Sequence, residues 1–277
     1  MVVIIKFFNN IISFINVQEF RQRFISTTIL SFLFIAVFLS GNPFISIFFS
    51  MLFSFVFFEY EKLNSKILTK LQIFRVLFFQ TFLLFFTFFE IYEIEIGLFS
   101  SNFITFIFIS IFFNTFFLFA KKSNFINFIL SNLIIFSFFS LVAILQSSNG
   151  LHTLLYIVIL VSSMDVFAYL GGKLFGKRKI IPIISKGKTI EGTIIGLFFT
   201  TFISLFIKDL MNFNFINSLF YGFFIGIIAF FGDLLESIFK RNIGVKDSGK
   251  LIPGHGGLLD RFDGYFLVIP FLYISIN

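Results

Sequence analysis

The chain has 277 residues, of which 58% are hydrophobic and 13% charged, with a formal net charge of +7 and no cysteine. Soluble domains carry about a quarter charged residues, so this composition excludes that class. It leaves an all-α polytopic integral membrane protein in which runs of about 17–25 apolar residues cross the ~30 Å of hydrocarbon. The missing cysteines exclude disulfides and thiolate metal sites.

Met1 to Phe20 holds an apolar stretch, Ile11 to Val17, without a small-residue cleavage site. It reads as an interfacial helix inside a cytoplasmic N-terminal segment, 1–23, and not as a signal peptide. Nine spans follow, over roughly 24–40, 44–58, 76–96, 99–120, 125–146, 151–170, 189–207, 214–239 and 264–277. The first five form an N-terminal transmembrane unit, 24–150. The rest form a unit over 151–277 with two long loops, 171–188 and 240–263. Nine crossings put the N-terminus, 59–75, 121–124 and both long loops on one side. Of the 21 Lys and Arg, only Lys208 falls on the other. The positive-inside rule makes the basic side cytoplasmic. Topology thus accounts for much of the net charge, and nucleic acid is not needed as a partner.

Acidic groups at membrane depth cost roughly 2.5–3.5 kcal/mol on insertion scales, so they face a cavity or a partner. Glu90, Glu93 and Glu95 stand near the outer end of span three and read as interfacial. In span six, Asp165, Tyr169 and Gly172 share a face. In span eight, Gly222, Gly226, Ala229 and Asp233 are spaced by four, three and four, a seam that lets a second helix approach and turns Asp233 toward protein. Glu236, Ser237 and Lys240 continue that stripe. The bland alternative is a packing face closed by an internal ion pair of Asp233 with Lys240 or Arg241. Asp260 and Asp263 lie together at the start of span nine. Four aspartates at one depth cannot all stay ionised without a cation. Hard oxygen donors suit Mg²⁺, which takes one or two carboxylates plus substrate phosphates.

Loop 171–188 carries six positive charges and no acid. Its Lys188-Thr189 opens span seven, where a helix N-terminus favours phosphate; Gly192 and Gly196 follow at packing spacing. The P-loop pattern fails, because Pro182 stands where its first glycine belongs. Loop 240–263 contains Pro253-Gly254-His255-Gly256-Gly257, in which backbone N–H groups can approach an anion. A turn with an incidental histidine would look the same. The flanking Lys246-Asp247 and Asp260-Arg261-x-Asp263 favour a metal–triphosphate site.

These residues carry a resemblance. Ser237, Lys240-Arg241, Lys246-Asp247, Gly249, Ile252-Pro253, His255-Gly256-Gly257, Asp260-Arg261 and Asp263 follow without a gap the signature of the phosphatidate cytidylyltransferases (CDP-diglyceride synthases). Upstream, Gly232-Asp233-Leu234 with Glu236-Ser237, the block from Asp165 through Ala168-Tyr169 and Gly172 to Lys177, and Ser185 with Lys188-Thr189-x-Glu191-Gly192 are similar to further family segments. Lys186 departs from them, standing where the family commonly has proline. The likeness covers about 150–270; the first 150 residues share little beyond hydropathy.

The resemblance implies transfer of a cytidylyl group from CTP to phosphatidate, giving CDP-diacylglycerol and pyrophosphate with Mg²⁺, a second cation being left open. It implies metal ligation by Asp233, Asp260 and Asp263. Phosphate binding would fall to Lys240, Arg241, Lys246 and Arg261, with Asp247 orienting the loop. Asp165, Tyr169, Lys188 and Ser237 would line the site, with His255, Gly256 and Gly257 on the substrate side. The expected setting is a bacterial inner membrane, the site facing the cytoplasm, with a homodimer compatible. Two rivals are a CTP-dependent polyprenol or phytol-type lipid kinase, which would release CDP, and a transporter with a cytoplasmic anion site. The complete signature weighs against the first. The absence of internal repeats and midplane acids weighs against the second.

Overall fold

The computed structural model describes residues 28–29, 32–65, 69–92, 109–116, 118, 125–185, 187–249 and 256–276. The expected interfacial segment 1–20, His255 and Glu93 and Glu95 lie outside these residues. The elements are α1 (Asn42–Leu63), α2 (Lys70–Tyr92), α3 (Phe125–Gln146), α4 (Gly150–Phe175), α5 (Ile190–Phe206), a 3₁₀ turn (Lys208–Met211), α6 (Phe215–Asn242), a one-turn α7 (Leu259–Phe262) and α8 (Tyr265–Ile276). Residues 32–39 and 109–116 are also helical. An isolated antiparallel bridge pairs Lys179 with Thr189.

Helices α1, α2, α3, α4 and α6 are long and apolar enough to cross a membrane, and α5 is a shorter apolar helix of 17 residues. The protein is an all-α polytopic membrane protein. Helix α8 has twelve described residues, Tyr265–Ile276.

Two helix boundaries differ from expectation, with one cause. Helix α1 runs to Leu63 and α2 starts at Lys70, so Glu59, Glu61 and Arg75 belong to helices and not to a solvated loop. All three are buried, at 6%, 0% and 4% exposure. Charge normally ends a span. Here Glu61 and Arg75 neutralise each other across 2.6 Å, and Glu59 has partners described below.

Small residues bring the helices after residue 150 together. A Cβ on Gly192 would meet the Ala168 carbonyl at 2.5 Å, one on Gly196 would meet Met164 Sδ at 2.9 Å, and one on Gly171 would meet Ile195 Cβ at 2.8 Å. These contacts lock α4 to α5. The seam read from the sequence forms between α6 and α5: a Cβ on Gly222 would meet Ser204 Cβ at 2.6 Å, and one on Gly226 would meet Leu197 Cδ2 at 2.8 Å. Hydroxyls reinforce this seam, since Ser218 donates to the Ser204 carbonyl at 2.7 Å. Hydrophobicity does not drive helices together in lipid, so close backbone approach and internal hydrogen bonds must.

Aromatic rings fill the space between α1, α3 and α8. Phe53 meets Phe138 edge-on at 5.5 Å and Phe266 at 6.4 Å. Other rings, such as Phe198, Phe202 and Phe206 on α5, point outward, as expected where lipid is the solvent.

Candidate active site

The C-terminal ends of α4 and α6 and the N-terminal ends of α5 and α8 meet at one end of the bundle, and Lys188, Asp233, Glu236, Lys240, Asp260 and Asp263 stand there. Thr189 caps α5 by accepting the Gly192 N–H at 3.2 Å. Glu191, in the first turn, accepts the N–H groups of Lys177 and Arg178 at 3.0 and 3.1 Å. The Ile190 N–H donates to the Arg178 carbonyl at 2.9 Å and the Ile180 N–H to the Lys188 carbonyl at 3.2 Å. The basic loop is thereby folded back on itself, with Lys188 at its inner edge.

From there Lys188 Nζ reaches Asp233 Oδ2 on α6 at 2.7 Å and lies over the Phe230 ring at 4.9 Å. Ser237, one turn on, donates to Asp233 Oδ1 at 3.3 Å. The intrahelical pairing of Asp233 with Lys240 or Arg241 does not form. Lys240 is two turns away, about 10 Å along the axis, and instead takes Glu236 at i−4 across 2.6 Å. Arg241 points outward to the backbone, donating to the carbonyls of Ile184 at 2.9 Å and Val245 at 2.7 Å. It ties the two basic loops together.

Lys240 also contacts Asp260 Oδ1 at 2.7 Å. The Asp260 carboxylate further accepts the Ser248 N–H (2.9 Å to Oδ2) and the Gly257 N–H (3.0 Å). Burial pushes Asp260 up, but Lys240 and these N–H groups outweigh it and hold the carboxyl below its ordinary value. Gly256, at φ +82°, turns the chain beside this carboxylate. The glycines expected to present N–H groups to a bound anion therefore serve, at Gly257, an anion of the protein itself. Lys246 and Asp247 are exposed on the loop, as are Asp165 and Tyr169 on α4.

Asp263 accepts the Gly264 N–H at 2.7 Å. Burial, and then the negative charges of Asp233, Glu236 and Asp165, raise its carboxyl well above the ordinary range. Asp165 in turn feels Asp233, Lys188 and Arg261. Asp165, Asp233 and Asp263 thus form one electrostatic group, to which Asp260 is joined through Lys240 and Glu236.

The fit of a divalent metal can be judged from these donors. Among the described residues no three acidic or histidine side chains surround a common point as a complete metal cage. Asp233 and Asp263 supply two hard carboxylates whose mutual repulsion a cation would relieve. That is the partial protein ligation Mg²⁺ accepts when phosphates complete its shell. Asp260 has its oxygens on Lys240 and two N–H groups, so a cation there competes with Lys240.

Two residues of this site were not singled out in the sequence. Glu191 stood in a recognisable block without a role. Glu59 accepts the Leu259 N–H at 2.9 Å and the Ser248 hydroxyl at 3.5 Å, contacts spanning 200 and 189 residues. An acid just past an apolar run was its only signal, and with Glu61 and Lys62 following it reads equally well as the start of a solvated loop.

Curated relatives match part of the chain. Phosphatidate cytidylyltransferase of Staphylococcus aureus (strain COL) is 46% identical over 131 residues, which is 47% of this chain and 50% of that protein. The Staphylococcus haemolyticus protein of the same name is 46% identical over 132 residues, with the same shares. Escherichia coli K12 YnbB, named as uncharacterized, is 44% identical over 130 residues, 47% of this chain and 44% of that protein. The chain spans about half the length of the curated relatives it matches. The profile of the Cytidylyltransferase family, by contrast, matches residues 21–277. With that match across nearly the whole length, this chain belongs to the Cytidylyltransferase family.

Proposed function

We propose that this protein transfers a cytidylyl group from CTP to phosphatidate, releasing pyrophosphate and forming CDP-diacylglycerol. One observation carries the reading: Lys188 meets Asp233 and Lys240 meets Asp260, each at 2.7 Å, so carboxylates and cations from three segments converge at the ends of membrane-spanning helices. A lipid headgroup and a nucleotide can meet there.

The substrate phosphate is already an anionic nucleophile, so no covalent enzyme intermediate is needed. A phosphatidate oxygen bonds to the α-phosphorus of CTP. The bond from that phosphorus to the bridging β-oxygen breaks, and its electron pair leaves with pyrophosphate. What the protein must contribute is alignment and neutralisation of two anions that repel. Lys188, Lys240 and Arg261 suit the phosphates, with Arg241 and Lys246 at the outer edge. The Lys188–Asp233 pair can exchange partners when a phosphate arrives. Asp165, Tyr169 and Ser237 line the entrance, and His255 is assigned to the substrate side by the signature alone. Mg²⁺, held by Asp233 and Asp263, would supply charge neutralisation at the α-phosphate. Asp260 anchors Lys240 beside it. The positive-inside bias supports a site facing the cytoplasm of a bacterial inner membrane.

The test is incubation of the purified protein with phosphatidate, Mg²⁺ and CTP labelled separately at the α and γ positions. Label from α in the lipid fraction, lost when the metal is chelated, is the expected outcome. Label from γ would mean a lipid kinase, and no label in lipid would remove both enzymatic readings.

A further inference from the structure

We propose that Glu59 is a positioning residue for this transfer, acting through the loop that carries Asp260; the inference rests on the function proposed above. Glu59 lies in α1, in the half of the chain that offers almost no signature positions, yet its partners are in the signature loop. Its Oε2 accepts the Leu259 N–H and the Ser248 hydroxyl. Those two residues sit on opposite limbs of the loop, 248–249 and 256–259. Asp260 joins the same limbs from within, through the N–H groups of Ser248 and Gly257. The limbs are therefore fastened twice, by Asp260 from inside and by Glu59 from the neighbouring helix. Lys240 hangs from the inner fastening.

Two signature glycines gain a reason from this arrangement. A Cβ on Gly249 would stand 2.7 Å from Glu59 Oε1, and one on Gly257 would meet first the Ser248 hydroxyl that Glu59 holds and then Glu59 Oε2 at 2.7 Å. Neither glycine has positive φ, so backbone conformation does not require them. The approach of the Glu59 carboxylate does at Gly249, and the Ser248 hydroxyl together with that carboxylate does at Gly257. Glu61, two residues on, is different: its charge is spent on Arg75 within the N-terminal helices. Glu59 spends its own on the loop. Releasing it lets the limbs drift and carries the Lys240–Asp260 pair away from Asp233 and Asp263. A shift of about 1 Å at a reacting site can cost on the order of 10²-fold in rate.

The full chain in lipid nanodiscs, given phosphatidate and α-labelled CTP, tests this. Glu59→Ala should lower kcat about 100-fold and change KM for CTP by less than about threefold. Glu59→Gln keeps an acceptor for the Leu259 N–H and should stay within about fivefold of wild type. Gly249→Ala should be damaging alone, yet add almost nothing on top of Glu59→Ala, because the clashing carboxylate is gone. Hydrogen exchange of peptides covering 248–249 and 256–259 should speed up in Glu59→Ala. The proposal is overturned by a Glu59→Ala kcat within about twofold of wild type, by Gln failing as badly as Ala, or by additive Gly249 and Glu59 effects. If Glu59→Ala does not fold, Glu59→Asp, which draws the carboxylate back by one methylene, is held to the same criteria. Wild-type protein that labels no lipid removes the function proposed above and leaves loop exchange to decide the clamp: faster exchange retains it, unchanged exchange ends it.

Discussion

The polar cluster between α1, α2 and the 109–116 segment and the one at the ends of α4, α5 and α6 differ in how their charges are answered. In the first, Glu61 faces Arg75 at 2.6 Å and takes the Gln72 amide at 3.1 Å. Arg75 donates onward to Asn114 at 2.6 Å, and Asn114 to Ser131 and Asn132 at 2.9 and 2.8 Å. The cluster is neutral and buried. In the second, Asp165, Asp233, Glu236, Asp260 and Asp263 act on one another with Lys188, Lys240 and Arg261 among them. Acid outnumbers base, and part of the cluster is exposed. A membrane protein that needs polar groups only for architecture closes them on each other, since every unanswered charge is costly there. Carboxylates left in excess at an accessible helix end invite a cation and a substrate.

Substitutions at each cluster should break this contrast in opposite ways. Asp233→Asn keeps shape and removes one charge, so label transfer should fall by about 10³-fold with thermal unfolding little changed. Transfer near the wild-type rate would take Asp233 out of the site. Arg75→Met leaves Glu61 buried without its counter-charge and should cost about 3–5 kcal/mol of stability, read by thermal unfolding in detergent. Activity per folded molecule should persist, and adding Glu61→Gln should restore most of the loss. If Arg75→Met instead abolishes turnover in stable protein, the first cluster is not merely architectural.

Smaller effects sharpen the picture. Gly226→Leu forces bulk into the contact with Leu197 and should cost about 1–3 kcal/mol, with a matching loss of activity as Asp233 moves; unchanged stability and activity would refute the seam. The pH response of the loop is the mildest expectation. Asp260 has a folded pKa below its unfolded value of about 3.9. Its contribution is therefore fully present above that value and is lost as pH falls through the lower folded one. In chelator, the stability of the 248–249 and 256–259 limbs, read by exchange corrected for its intrinsic pH dependence, should be flat from about pH 8 to 5 and fall only below about pH 4. Weakening of the limbs near pH 6 would show that Lys240 and the N–H groups do not hold this carboxylate.

Much of this molecule was legible before any coordinates. The apolar run 125–146 is a helix with those same bounds, because lipid demands a continuous hydrogen-bonded segment of that length. The Gly222-Gly226-Ala229 spacing announced a seam because 3.6-residue periodicity makes one face from such positions. Asp165, Asp233, Asp260 and Asp263 were readable as a group because acid is expensive in this solvent and seldom occurs without a task; that Asp260 is held by Lys240 and two N–H groups was not. What sequence spacing could not supply was the partner of each charge. Lys240 was equally available to Asp233 or to Asp260, and Glu59 looked like the end of a span. Only the packing of α1 against the loop before α8, and of the basic loop against α6, decided that Glu59 meets Leu259, Lys188 meets Asp233 and Lys240 meets Asp260. Local chain geometry determines which residues share a helix face; which carboxylate a long, flexible lysine reaches depends on how separate helices are brought side by side, and that is a property of the assembled bundle.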